Sequence, residues 1–94
     1  MQFRDVIRNG LPNRNGEYLT IVRGMFGNIY IDIYNFASDL YEIDNYDFVK
    51  CKGKPGWYDY DSEYGYFEVT NVLAWTDMPE IPEEYRKGGN CYGS

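Results

Sequence analysis

The chain has 94 residues, room for one domain around one modest core. Fifteen acids against nine bases give a formal net charge of −6. That balance lacks the basic footprint of a nucleic-acid binder or of a protein seated on anionic lipid, and it favours basic partners. The absence of His closes imidazole catalysis and His ligation. Two cysteines forty positions apart, Cys51 and Cys91, are too few for a four-ligand zinc site.

In chain order, residues 1 to 10 set Phe3, Val6 and Ile7 at helical spacing, and Gly10 and Pro12 stop any helix there. A short helical turn or irregular lead-in is expected. Asn13-Arg14-Asn15-Gly16 is a turn signal. Glu17–Arg23 reads as a strand, rich in β-branched and aromatic residues. A glycine-bounded loop, residues 24 to 28, leads to Ile29–Phe36, the clearest strand in the chain. There Ile29, Ile31 and Ile33 alternate with Tyr30, Asp32, Tyr34 and Phe36, which predicts an aliphatic face turned to the core and an aromatic, acidic face partly exposed. Residues 38 to 47 fit either a short helix capped by Ser38 or Asp39 or an irregular edge.

Phe48–Lys52 reads as a strand with Val49 and Cys51 inward, followed by a turn over residues 53 to 56. Trp57–Tyr60 and Gly65–Val69 read as the arms of a hairpin across Asp61-Ser62-Glu63-Tyr64. Residues 71 to 77 form the last strand, with a bulge or bend at Thr70-Asn71, and Pro79 and Pro82 end the sheet. The reading is a mainly β single domain over 1–87, a curved antiparallel sheet of about five strands or a small open barrel with minor helical turns, and a flexible tail over 88–94. Its expected core is Leu19, Ile21 and the three isoleucines in the first half, and Val49, Phe67, Val69, Leu73 and Trp75 in the second. No structural metal and no obligatory disulfide are expected, so such a fold survives chelator and reductant.

Two acidic segments carry the functional signal. Asp39, Glu42, Asp44 and Asp47 fall within nine residues, and Asp59, Asp61, Glu63 and Glu68 within ten, neither stretch containing a base. Crowded like charges have a cost unless solvated or met by a partner. One reading is a docking surface for a basic protein groove, with carboxylates along extended strands spaced ~6–7 Å apart, of the order of phosphate spacing. The other is a solvated surface that keeps a tyrosine-rich chain soluble. Tyr58, Tyr60 and Tyr66 share the hairpin with the acids, and Tyr is enriched at interfaces. Asp59-Tyr60-Asp61-Ser62-Glu63 alternates carboxylates as calcium loops do. An EF-hand counted from Asp59 would place Tyr64 where Gly is needed and Thr70 where Glu is needed, so a hairpin tip is the better reading. Trp75 reads as a core ring over which the proline segment folds back. No phosphate-cradling loop, nucleophile elbow or metal motif is present, and catalysis is not expected.

The ending Trp75-Thr76-Asp77-Met78-Pro79-Glu80-Ile81-Pro82, the acidic hairpin, and the opening Leu11-Pro12 followed by Asn15-Gly16-Glu17-Tyr18-Leu19 resemble domain-of-unknown-function family 551 of bacteriophages and prophages, over roughly residues 11 to 82. The resemblance implies a compact β-rich fold and a phage origin, and it brings no catalytic motif. With no signal-peptide pattern in Met1-Gln2-Phe3-Arg4-Asp5 and no apolar run near the ~20 residues of a membrane span, the expected setting is a bacterial host cytoplasm with both thiols reduced.

Two function classes follow. The first is a non-enzymatic accessory protein that inhibits a host defence factor, anti-CRISPR-like, by presenting acids and tyrosines to a basic groove such as that of a nucleic-acid-processing nuclease. The second is a housekeeping adaptor or structural module of a phage genome. The expected contact residues are Asp59, Tyr60, Asp61, Glu63, Tyr64 and Tyr66 of the hairpin, with Asp39, Glu42 and Asp44 beside them. No cofactor and no direct nucleic-acid contact is expected.

Overall fold

The computed structural model describes residues 2–85. The expected tail over 88–94 and Cys91 lie outside them. The described chain forms one open antiparallel sheet of six strands. In chain order the elements are β1 (Arg4–Asp5), α1 (Val6–Asn9), β2 (Gly16–Arg23), β3 (Ile29–Ala37), α2 (Leu40–Ile43), β4 (Gly56–Asp61), β5 (Gly65–Val69) and β6 (Val72–Asp77). Across the sheet the order is β1-β6-β2-β3-β4-β5. The two-residue β1, not expected from the sequence, pairs Arg4 with Trp75 and Asp5 with Ala74.

The centre is the β2–β3 hairpin, in register from Gly16↔Phe36 to Arg23↔Ile29. On its other side β2 pairs β6 from Tyr18↔Asp77, with a register shift between Ile21 and Val22. The bulge in β6 therefore falls near Leu73, between the residues that pair with Ile21 and Val22, while the chain bends between β5 and β6 at Thr70-Asn71 as expected. β4 meets β3 only over Asn35–Ala37. Beyond that point the β4–β5 hairpin diverges, and Ile29–Tyr34 of β3 has β2 on one side and no strand on the other.

The core lies on the face opposite to the one the isoleucines predict. Tyr18, Phe36, Trp57, Val69 and Trp75 form one buried cluster, supported by Val6, Tyr34 and Val72. Its rings meet edge to face: Tyr18 lies 5.3 Å from Trp75 and 5.9 Å from Trp57, and Phe36 lies 5.2 Å from Trp57. The cause is curvature. β5 and β6 sit at separated positions in the sheet yet are joined by Thr70-Asn71, so the chain crosses the face carrying Tyr18, Thr20 and Val22 and makes it concave. Indole and phenol rings span such a hollow, which aliphatic side chains are too short to fill. Ile29, Ile31 and Ile33 stand on the convex face at 53%, 61% and 42% exposure, Leu19, Ile21 and Leu73 are half-buried, and Phe67 is exposed. Of the expected core only Val69 and Trp75 are fully enclosed.

The cover of Trp75 also differs from expectation. The Trp75 indole N–H donates to the Gly10 carbonyl at 2.9 Å, and the Arg4 guanidinium lies 4.9 Å from its ring centroid. The N-terminal segment closes this end, while Pro79 and Pro82 are exposed. Asp5 caps α1 by accepting from the Ile7 and Arg8 amides.

A second, smaller cluster sits on the convex face at the β3–β4 end. Ala37, Leu40 and Phe48 are buried there, with Ile43, Cys51, Tyr58 and Tyr66 against them. Residues 48 to 52 are not the expected strand. Phe48 N–H donates to Asp44 O, Cys51 N–H to Phe48 O and Lys54 N–H to Cys51 O, a succession of turns. The winding starts where Asp44 Oδ1 accepts from the Tyr46 and Asp47 amides. Only Phe48 anchors the segment deeply, Cys51 is half-buried, and Val49, expected inward, is exposed.

Candidate functional site

The β4–β5 hairpin forms as the sequence predicts, from Trp57↔Val69 to Asp61↔Gly65. Its tip is wound by Asp61, whose Oδ1 accepts from the Glu63 amide at 2.7 Å and the Tyr64 amide at 3.0 Å. Gly65 then takes φ +88°, a left-handed value suited to glycine. A Cβ there would also stand 2.7 Å from Asp47 Oδ2. That close approach exists because Asp47 Oδ2 accepts from the Tyr66 amide at 3.0 Å. Asp47, absent from the expected contact residues, ties the first acidic segment to the second. Its only sequence signal was membership of the 39–47 run.

The same junction is aromatic. Tyr60 and Tyr66 pack with centroids 4.8 Å apart, Tyr58 and Tyr66 at 5.8 Å, and Phe48 lies 6.2 Å from both Tyr58 and Tyr66. Register places Tyr58, Tyr60, Tyr66 and Glu68 on the convex face with α2 and the following turns. Tyr60 is 57% exposed and Tyr64 82%, so both offer ring surface, while Tyr66 is half-buried and supports Tyr60 from below. Burial first, and the neighbouring Tyr66 second, push the Tyr58 phenol up.

The acids divide by role. Asp39 caps α2, accepting from the Tyr41 amide at 3.1 Å and the Gly53 amide at 2.8 Å. Asp44 and Asp61 are turn carboxylates. Glu42 and Glu63 are exposed, and no hydrogen bond in the described residues occupies their carboxylates. Glu68 pairs with Lys54 at 3.0 Å, the single ion pair among the described residues. Lys54 titrates above its ordinary value through that hydrogen bond and the Glu68 charge. Between residues 39 and 68 eight carboxylates stand against three lysines, Lys50, Lys52 and Lys54. Lys52 lies 5.7 Å from the Tyr41 ring centroid.

Asp59 does not join this surface. Paired with Phe67, it lies on the concave face, and its Oδ1 accepts from the Tyr60 amide. There it faces Tyr34, whose phenol is pushed up to about 12, by burial first, then by the Asp32 charge and a hydrogen bond to Asp32, with smaller contributions from Tyr30 and Asp59. The structure thus brings Asp39, Glu42, Asp44, Tyr60 and Tyr66 to one side, sets Asp61, Glu63 and Tyr64 at the tip between the faces, and turns Asp59 away. Among the described residues no three thiols or carboxylates converge as an ion site would require, and no helix is long and apolar enough to cross a membrane.

No protein-family profile, no curated protein and no solved structure matches the chain.

Proposed function

We propose that this is a non-enzymatic accessory protein of a phage or prophage, acting in the host cytoplasm by protein–protein contact. In its most specific form it inhibits a host defence factor, anti-CRISPR-like, by seating an acidic, tyrosine-bearing surface in a basic groove that otherwise takes nucleic acid. The likeness of its opening and closing motifs to family 551 supports the phage setting. The observation that carries the binding reading is the Asp47–Tyr66 junction. It joins the two acidic segments, one carrying the uncommitted Glu42 and the other the uncommitted Glu63 with the exposed Tyr60 and Tyr64 rings. Acids held for no internal purpose next to exposed phenols combine long-range attraction with short-range contact. The adaptor alternative would be favoured by carboxylates spread evenly over the domain, and their concentration between residues 39 and 68 argues against it.

The test starts with capture of the partner from a bacterial lysate and a salt titration of the complex. Association falls steeply as salt rises, since exposed charges are screened beyond ~10 Å at 0.1 M. Reversal is best placed at Glu42→Lys with Glu63→Lys, because Asp61 is needed to hold the tip amides. The pair slows association, and Tyr60→Ala speeds dissociation. DNA or RNA competes if the groove serves a nuclease. A complex indifferent to salt and to both reversals sinks the reading.

A further inference from the structure

The convex face between β2 and β3 belongs to neither cluster and has no covering element. It presents five aliphatic side chains, Leu19 and Ile21 from β2 and Ile29, Ile31 and Ile33 from β3, in directly opposed pairs Leu19↔Ile33 and Ile21↔Ile31. A bare aliphatic face of this kind marks a contact surface. Its charges identify the occupant. Alternation along β2 puts Glu17 on this face at one end and Arg23 at the other, both exposed, with no charged side chain between them. Six residue steps at ~3.3 Å separate them by about 20 Å.

We propose that this face stacks on the same face of a second copy, about a two-fold axis lying in the plane between the sheets and across the strands. That operator runs the two β2 strands antiparallel, so Glu17 of each copy meets Arg23 of the other while the isoleucines interdigitate. The alternative two-fold, along the strands, would set Glu17 on Glu17 and is disfavoured. The balance of one acid and one base at opposite ends is what a self-complementary interface requires. An acidic or basic partner finds no net charge to read here. The acids of α2 and of the β4–β5 hairpin share the convex side but stand beyond β3, so the patch between β2 and β3 itself carries no net charge. Asp5, on the same face beyond β6, is occupied at the start of α1. Two strands make a patch below the ~800 Å² per partner of a standard interface, so the dimer forms in a concentration-dependent way. The proposal holds whether or not the acidic hairpin binds a host factor.

Sedimentation velocity of the full chain, from low micromolar to millimolar concentration, tests it. The parent shifts from monomer to dimer. Ile31→Lys weakens the dimer by about tenfold or more without moving the melting temperature, since a charge placed at the contact forfeits over ~1.4 kcal/mol. If that variant fails to fold, Ile31→Thr, which keeps β-branching, takes its place. Glu17→Arg weakens association, and adding Arg23→Glu restores it. A monomer at every concentration overturns the proposal, as does a dimer untouched by Ile31→Lys. Loss with Ile31→Lys but no rescue by the charge swap overturns the stacked geometry.

Discussion

Trp75 shows how much one side chain can hold together. Its ring packs on Tyr18, carries the Arg4 guanidinium, and ties the N-terminal segment through the Gly10 carbonyl. Trp75→Ala therefore removes core volume and orphans that carbonyl, and should cost ~3–5 kcal/mol in urea titration followed by far-UV circular dichroism. In a domain with ~5–15 kcal/mol to lose, that is a large share. Tyr34 offers a second test. Its folded-state pKa, about 12, exceeds the unfolded value of 10, so between these values the folded state holds a proton the unfolded state has released. The Tyr34 contribution is intact below pH 10 and is lost as pH rises towards 12. Absorbance titration should show one phenol ionising last, and Tyr34→Phe should remove that phase. Trp75 as a core ring was legible from its type and its strand. Tyr18 was not, because alternation in β2 gives two apolar faces, Leu19 and Ile21 against Tyr18 and Val22, and the sequence offers no local sign of which is concave.

The strands declare themselves through β-branched and aromatic runs bounded by Gly, Asn and Asp, and β2 to β6 lie within a residue or so of where those signals put them. The segment over residues 48 to 52 misled because its residue types suit a strand while Asp44, upstream, winds the backbone into turns. The acidic surface was legible as composition. Its assembly through Asp47, and the departure of Asp59 to the concave face, depend on register between distant segments. One element carries a guard. Along Ile29–Tyr34 β3 lacks a second neighbour, and Asp32 Oδ1 accepts from the Ile33 amide at 2.8 Å. A charge on an unpaired apolar strand opposes edge-to-edge pairing. Asp32→Val should raise light scattering on warming at a fixed concentration, with Asp32→Asn intermediate.

At the scale of the whole molecule, topology sets the kinetics. β1 pairs β6 and β2 pairs β6, so the sheet is completed by contacts between opposite ends of the described chain. Non-local pairings of this kind are slow to form, and refolding by stopped flow should fall in the millisecond-to-second range rather than in microseconds. That the fold is a mainly β, antiparallel, curved sheet could be read from the sequence, whereas which face the curl encloses and which aliphatic side stays uncovered could not. The curl has a practical consequence for anyone watching the protein in solution. Trp57 and Trp75 are both buried and both stack edge-on against Tyr18. The two indoles are thus a single optical reporter of one aromatic interior, and their emission will follow unfolding faithfully. Neither lies at the hairpin tip or on the convex aliphatic face, so an unchanged emission spectrum says nothing against a partner bound there, and a dye placed at Tyr64 or Ile31 is needed to see one arrive.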